Sequence, residues 1–228
     1  MPFQSNIIES RTIEEAWRDT MWCCVRNGHD YQVKQGSYKG QLRRQLEYLV
    51  IKIHEPWTRP LAVTLPEHLP FSAPTNEENI YKYFREYIIE DGSKSRQDYT
   101  YGKFIEKQFN KVIELLNASQ GRTNQATMNI GEPIISQLQE PPCLRVIDFK
   151  VVKGTLVMSL FFRSWDLFAG LPENLGGLQL LKEYVRIWLN FLVEDGPIVI
   201  YSSGAHIYEQ YFPIVNQLCV DQIEGVSE

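Results

Sequence analysis

The chain has 228 residues, 43% of them hydrophobic and 22% charged, with a formal net charge of −5. Those proportions suit one globular domain with a substantial core and exclude a disordered or fibrous chain. The acidic balance gives no global attraction for nucleic acid, and no apolar run approaches the length of a membrane span.

Residues Met1-Pro-Phe-Gln-Ser-Asn6 carry no basic flank and no apolar stretch of signal type. Of the four cysteines, Cys23 and Cys24 are adjacent while Cys143 and Cys219 stand alone. That pattern has no metal-ligand spacing and makes a poor disulfide framework. The expectation is a reduced, cytoplasmic protein without a metal.

Thr12-Ile-Glu-Glu15 reads as a capping box. The helix it opens carries Ile13, Ala16, Trp17, Met21 and Cys24 on one face and stops at Gly28. Leu46 to Ile53 reads as a strand ended by Pro56, and the proline-rich stretch from Trp57 to Pro74 as an ordered loop. Thr75-Asn-Glu-Glu78 is a second capping box, predicting a helix to about Glu90 and then a polar connection over 91–98. A third helix is expected from about Gly102 to Leu116, with Phe104, Phe109, Ile113 and Leu116 on its buried side.

Thr127 to Ile130, Leu144 to Val152 and Thr155 to Phe162 read as strands, the last two joined by a tight Lys153-Gly154 turn. A long helix is expected from Asn174 to Phe191, a strand from Pro197 to Tyr201 and a helix beginning near His206. With no repeat, low-complexity tract or linker, residues 1–228 are expected to form a single α+β domain. The very apolar late strands suggest a sheet face buried against another subunit.

Against this background several chemical groups occur in order. Cys143 follows two prolines that fix the approaching backbone, which suits a nucleophile as well as a small core residue. Arg163 ends the apolar run Leu160-Phe-Phe162, where a charge is costly unless paired or bound to an anion such as phosphate. Asp166 and Asn174 flank a predicted turn over 167–172; Asn174 is either a helix cap or a group able to read a uracil-like ring. His206 and Tyr208 follow Ser202-Ser-Gly204-Ala205. Taken singly, each has an ordinary structural explanation; their joint order does not.

That order resembles the thymidylate synthase family. The likeness rests on the Pro-Cys turn, on Arg-Ser-x-Asp-x-x-x-Gly-x-Pro-x-Asn as Arg163 to Asn174, and on His-x-Tyr as His206 to Tyr208. Weaker echoes are Tyr101-Gly-Lys103 and Arg85-Glu86-Tyr87, and the length is most similar to the archaeal, methanogen-type branch. The resemblance implies a mixed sheet packed with helices and a homodimer formed through that sheet. It implies that Cys143 attacks C6 of dUMP and that C5 then captures a methylene group. The donor would be 5,10-methylene-tetrahydrofolate or methylene-tetrahydromethanopterin. Arg163 and Ser164 would hold the phosphate, Asn174 would read the pyrimidine, and His206 and Tyr208 would bind the deoxyribose hydroxyl. Asp166 would hold the pterin, Glu86 would relay protons through water and Tyr101 would support that network.

The chain departs from the family pattern where a paired Arg-Arg, reaching the phosphate of the partner subunit, is usual about twenty residues before the cysteine. Here Arg122-Thr-Asn-Gln-Ala126 leaves at most Arg122 for the phosphate, while Arg43-Arg44 is either a further phosphate contact or a solvated charge pair. Leu144 and Phe162 stand where histidine and glutamine are common. Two alternatives follow: a dUMP or dCMP hydroxymethylase on the same scaffold, if water takes the exocyclic methylene, and a nucleotide-binding protein without turnover. Neither involves a membrane or nucleic acid.

Overall fold

The computed structural model describes residues 5–36, 38–90, 99–133, 137–138 and 140–224. The connection expected over 91–98 lies outside the described residues. Two sheets share one helical layer. Six strands run in the order β1 (Asn6–Ser10), β4 (Leu49–Ile53), β9 (Glu194–Ser202), β7 (Thr155–Phe162), β6 (Leu144–Val152) and β5 (Thr127–Asn129). The β1–β4 and β7–β9 pairs are parallel and the others antiparallel, so the sheet is mixed, as expected for this α+β chain. A smaller sheet joins β2 (His29–Gln32), β3 (Leu42–Leu46), β10 (Ala205–Tyr208) and β8 (Trp165–Asp166).

Helix α1 (Ile13–Asn27) starts as its sequence dictates. Thr12 Oγ1 accepts the Glu15 amide at 3.2 Å, Glu15 takes the Arg11 amide at 2.8 Å, and Trp17, Met21 and Cys24 are buried. The predicted strand over 46–53 divides at residues 47–48 into β3 and β4, one in each sheet. The second capped helix also differs. Asn76, not Thr75, accepts the Asn79 amide at 2.8 Å, and Thr75 is buried. The helix α2 (Glu77–Tyr83) then widens into a π-helical turn over Phe84–Ile89. Helix α3 (Gly102–Ser119) buries Phe104 and Leu116.

The β6–β7 hairpin turns through Lys153 and Gly154 at φ 51° and 83°, the left-handed pair that a two-residue hairpin needs. Helix α4 (Gly170–Ile187) begins four residues before Asn174, so Asn174 lies in its second turn and is not a cap. Pro172 is compatible with that start because first-turn amides need no helical acceptor. No helix begins at His206, which lies on β10; α5 (Phe212–Glu224) starts six residues later.

Strands β4, β7 and, from Asp195 onwards, β9 alternate strictly between buried and half-buried residues. The half-buried face carries Val50, Val157, Val199, Phe161 and Tyr201, with the Phe161 and Tyr201 rings stacked at 5.3 Å. Behind the opposite face, the fully buried Lys182 of α4 pairs with Asp195 at 2.8 Å, donates to the Gly196 carbonyl and lies 5.7 Å from the Trp57 ring.

Burial pulls the Lys182 ammonium down to about 8 against the Asp195 charge. The unfolded chain therefore holds this proton more tightly, and the contribution of Lys182 to stability rises with pH between about 8 and 10.5. Lys182→Met is expected to cost on the order of 3 kcal/mol at pH 7, by leaving Asp195 without its countercharge, and to flatten that rise. Urea unfolding at pH 7 and pH 9.5 measures both.

Candidate active site

Antiparallel pairing of β6 and β7 sets Leu144 opposite Phe162 and so brings the residues just outside, Cys143 and Arg163, together. The Arg163 amide donates to the Cys143 carbonyl at 2.9 Å. Its guanidinium Nε donates to the Pro142 carbonyl at 2.9 Å and Nη2 to that of Pro141. One arginine thus pins all three residues of the Pro-Pro-Cys turn. Burial pushes the Cys143 thiol up; the Arg163 guanidinium opposes this, the Glu140 carboxylate reinforces it, and Arg43 pulls down more weakly.

Arg43 comes from the smaller sheet, where strand alternation separates the Arg43-Arg44 pair. Arg44 turns to Asp30, with contacts of 2.6 and 2.9 Å. Arg43 turns to the site: Nη2 donates to the Tyr208 hydroxyl at 2.8 Å, Nη1 to that of Tyr31 at 3.2 Å, and Nε is buried without a hydrogen bond. The neighbouring β10 residues are His206 and Tyr208. Tyr208 stacks on Tyr38 at 4.0 Å. Because a carbonyl only accepts, His206 Nδ1 must carry the proton in its 2.9 Å contact with Gly204 O, which leaves Nε2 a buried, unpartnered acceptor. Burial, then Arg43, pulls His206 down to about 3, so the ring is neutral.

Strand β8 pairs in parallel with β10, setting Asp166 beside His206. Asp166 Oδ1 accepts the Phe168 and Ala169 amides at 3.0 and 3.3 Å, yet burial still pushes its carboxyl up to about 6. The loop it folds is held by α1, where Trp17 Nε1 donates to the Phe168 carbonyl at 3.0 Å. Asn174 is half-buried; its Oδ1 accepts from Trp165 Nε1 at 3.0 Å and its Nδ2 donates to the Tyr83 hydroxyl at 2.9 Å. Each of those atoms keeps one further hydrogen-bonding position.

The remaining wall is phenolic. The Tyr101 hydroxyl accepts the Leu144 amide at 3.3 Å, and Tyr87 crosses the Tyr101 ring edge-on at 4.8 Å. Tyr99 and Tyr101 both feel the Cys143 charge, and burial pushes both phenols up. Ser164 is half-buried in the turn after Arg163, against which Gly204 packs.

Two expected site residues stand apart. Glu86 is exposed on the π-helical turn, 3.5 Å from Arg85, and is not among the charges that act most on the thiol. Arg122 is exposed at the far end of β6, where Gly121 O accepts the Val151 amide at 3.4 Å. That end is roughly 25 Å of extended strand from Cys143, so Arg122 cannot reach the site of its own chain. The expected contact of Arg122 is with the phosphate in a partner subunit; within one chain Arg43 is the arginine nearest His206 and Tyr208. Sequence reasoning also missed Trp165 and Tyr83; the former sits at the unspecified position of the Arg-Ser-x-Asp element.

Residues 79–225 match the family model described as thymidylate synthase. Relatives named "Putative thymidylate synthase" align over nearly their whole length. The Methanosarcina barkeri protein is 27% identical over 97% of this chain and 96% of its own. That of Methanococcoides burtonii is 29% identical over the same shares. The Methanothermobacter marburgensis protein is 29% identical over 88% of this chain and 92% of its own. Among the described residues no helix is long and apolar enough to cross a membrane, and no cluster of His, Cys, Asp and Glu could hold a metal.

Proposed function

We propose that this chain, which belongs to the thymidylate synthase family of methyltransferases, converts dUMP to dTMP with a methylene-carrying reduced pterin. The observation that carries the proposal is the convergence of Cys143, Arg163, Asp166, Asn174 and His206 from separate strands and α4 on one half-buried site. A soft thiolate suits conjugate addition, and a temporary covalent bond divides a hard step into easier ones.

In this reading the Cys143 thiolate adds to C6 and the electron pair of the C5–C6 double bond moves into an enolate. C5 then bonds to the donor's methylene carbon. Loss of the C5 proton and the nitrogen leaving group gives an exocyclic methylene, and hydride from the reduced pterin makes it methyl as the thiolate departs. Arg163, Arg43 and Ser164 hold the phosphate, and a phosphate there adds no cost to the guanidinium's hold on the cysteine turn, since a guanidinium has five donors. Neutral His206 accepts the deoxyribose hydroxyl at Nε2, with Tyr208 beside it. Asp166 holds the pterin. Tyr101 orders water near the thiol, and Glu86 passes the C5 proton to bulk water, a role its exposure permits. The half-buried sheet face, rich in Val, Phe and Tyr, supports a homodimer.

Product analysis tests the reaction. With dUMP and dCMP offered against methylene-tetrahydrofolate and methylene-tetrahydromethanopterin in turn, dTMP from dUMP is expected with at least one donor. A hydroxymethyl product would replace the hydride step by hydration, and nucleotide binding without any product would reduce the site to a binding role.

A further inference from the structure

The carboxamide of Asn174 raises a question of orientation. A primary amide presents one acceptor and one donor edge-on. In one orientation it matches a 4-keto pyrimidine, donating to the O4 carbonyl and accepting from N3–H. Rotated by half a turn it matches a 4-amino pyrimidine equally well, accepting from the amino group and donating to N3. Asparagine alone therefore does not choose uracil over cytosine.

Trp165 removes the ambiguity. An indole has a donor and no acceptor, so the amide atom 3.0 Å from Trp165 Nε1 must be the oxygen. The indole cannot turn away: Trp165 is 1% exposed, its ring stacks on Phe162 at 4.3 Å and 9°, and its backbone is held against the Gly204 carbonyl and β10. On the other side, the Tyr83 hydroxyl takes the Asn174 NH₂ at 2.9 Å. Tyr83 is pressed onto α4 at Gly177, where even a methyl group would stand 2.6 Å from its ring. A hydroxyl both donates and accepts, so Tyr83 would satisfy either orientation, whereas a flipped amide would set NH₂ against N–H at Trp165.

We infer that Trp165 is a positioning residue that fixes the Asn174 carboxamide in one orientation and thereby sets the preference for a 4-keto over a 4-amino pyrimidine. The inference rests on the proposed reading of the site as a pyrimidine nucleotide site.

The test is the ratio of dissociation constants for dCMP and dUMP, measured by titration calorimetry on the full-length protein. Trp165→Phe keeps an aromatic ring on Phe162 and deletes the N–H; the ratio is expected to fall about tenfold, the scale of one lost hydrogen bond. Replacing Trp165 by 3-benzothienylalanine, which exchanges only N–H for sulfur, should give the same fall and serves if the phenylalanine variant does not fold. Tyr83→Phe should leave the ratio within about twofold while weakening both nucleotides, since its hydroxyl serves either orientation. An unchanged ratio in the benzothienyl protein overturns the inference, as does an equal fall in Tyr83→Phe, which would mean that loosened packing alone is responsible. Those outcomes leave the nucleotide site standing. Failure of the native protein to bind either nucleotide would remove the site itself and the inference with it.

Discussion

Cys143→Ala is expected to abolish formation of dTMP, by on the order of 10⁴-fold or more, while dUMP still binds within a few fold of the native protein. The separation follows from the construction of the turn. Arg163 holds the carbonyls of Pro141, Pro142 and Cys143, none of which belongs to the thiol, so removing sulfur leaves the backbone and guanidinium in place. Product chromatography measures the first half and calorimetry the second. The native enzyme should also form a mass adduct on Cys143 with 5-fluoro-dUMP and the methylene donor, and the variant should not. Because burial raises the thiol despite Arg163, the thiolate fraction grows with pH, and adduct formation should accelerate from pH 6 towards pH 9. Full turnover in the alanine variant would eliminate covalent catalysis by this residue.

Asn174→Asp carries the second large effect, an inversion of substrate preference. An ionised carboxylate only accepts, so it suits cytosine protonated at N3, which presents two donors on that edge, and it sets oxygen against the O4 carbonyl of uracil. Turnover of dUMP per unit KM is expected to fall roughly 10²-fold or more, the scale of mismatch in a site built to hydrogen-bond its substrate, while dCMP becomes the better ligand. The fold should tolerate the change, because Trp165 can still donate to a carboxylate and Tyr83 can turn its hydroxyl to donate as well. Competition between the two nucleotides at equal concentration, read by product mass, decides it; retention of uracil preference would place base recognition elsewhere.

Much of this arrangement was legible in the chain because its signals are local. Thr12 with Glu15, the Lys153-Gly154 turn and the ordered block from Arg163 to Asn174 state their geometry within a few residues. What escaped is non-local or too short for periodicity. Strand β10 is four residues long and wholly buried, so it shows no alternation and reads as the start of a helix. Strand β8 has two residues and exists only because β10 lies beside it. The start of α4 was hidden by Gly170 and Pro172, which look like turn residues and are compatible with a first helical turn. Arg43 and Arg44 are indistinguishable as letters. Which of them enters the site depends on strand register against Tyr208 and Ile207, more than 160 residues later.

The family match begins at residue 79, yet two strands before it lie inside the sheets: β4 between β1 and β9, and β3 between β2 and β10. A fragment confined to the matched portion would expose the full edge of β9 and the flank of β10, along with the face of α4 that α1 covers. Open edges of that length invite pairing with other chains. The first third of the sequence is thus neither an appendage nor a separable module, and its removal should convert a folded enzyme into an aggregating fragment.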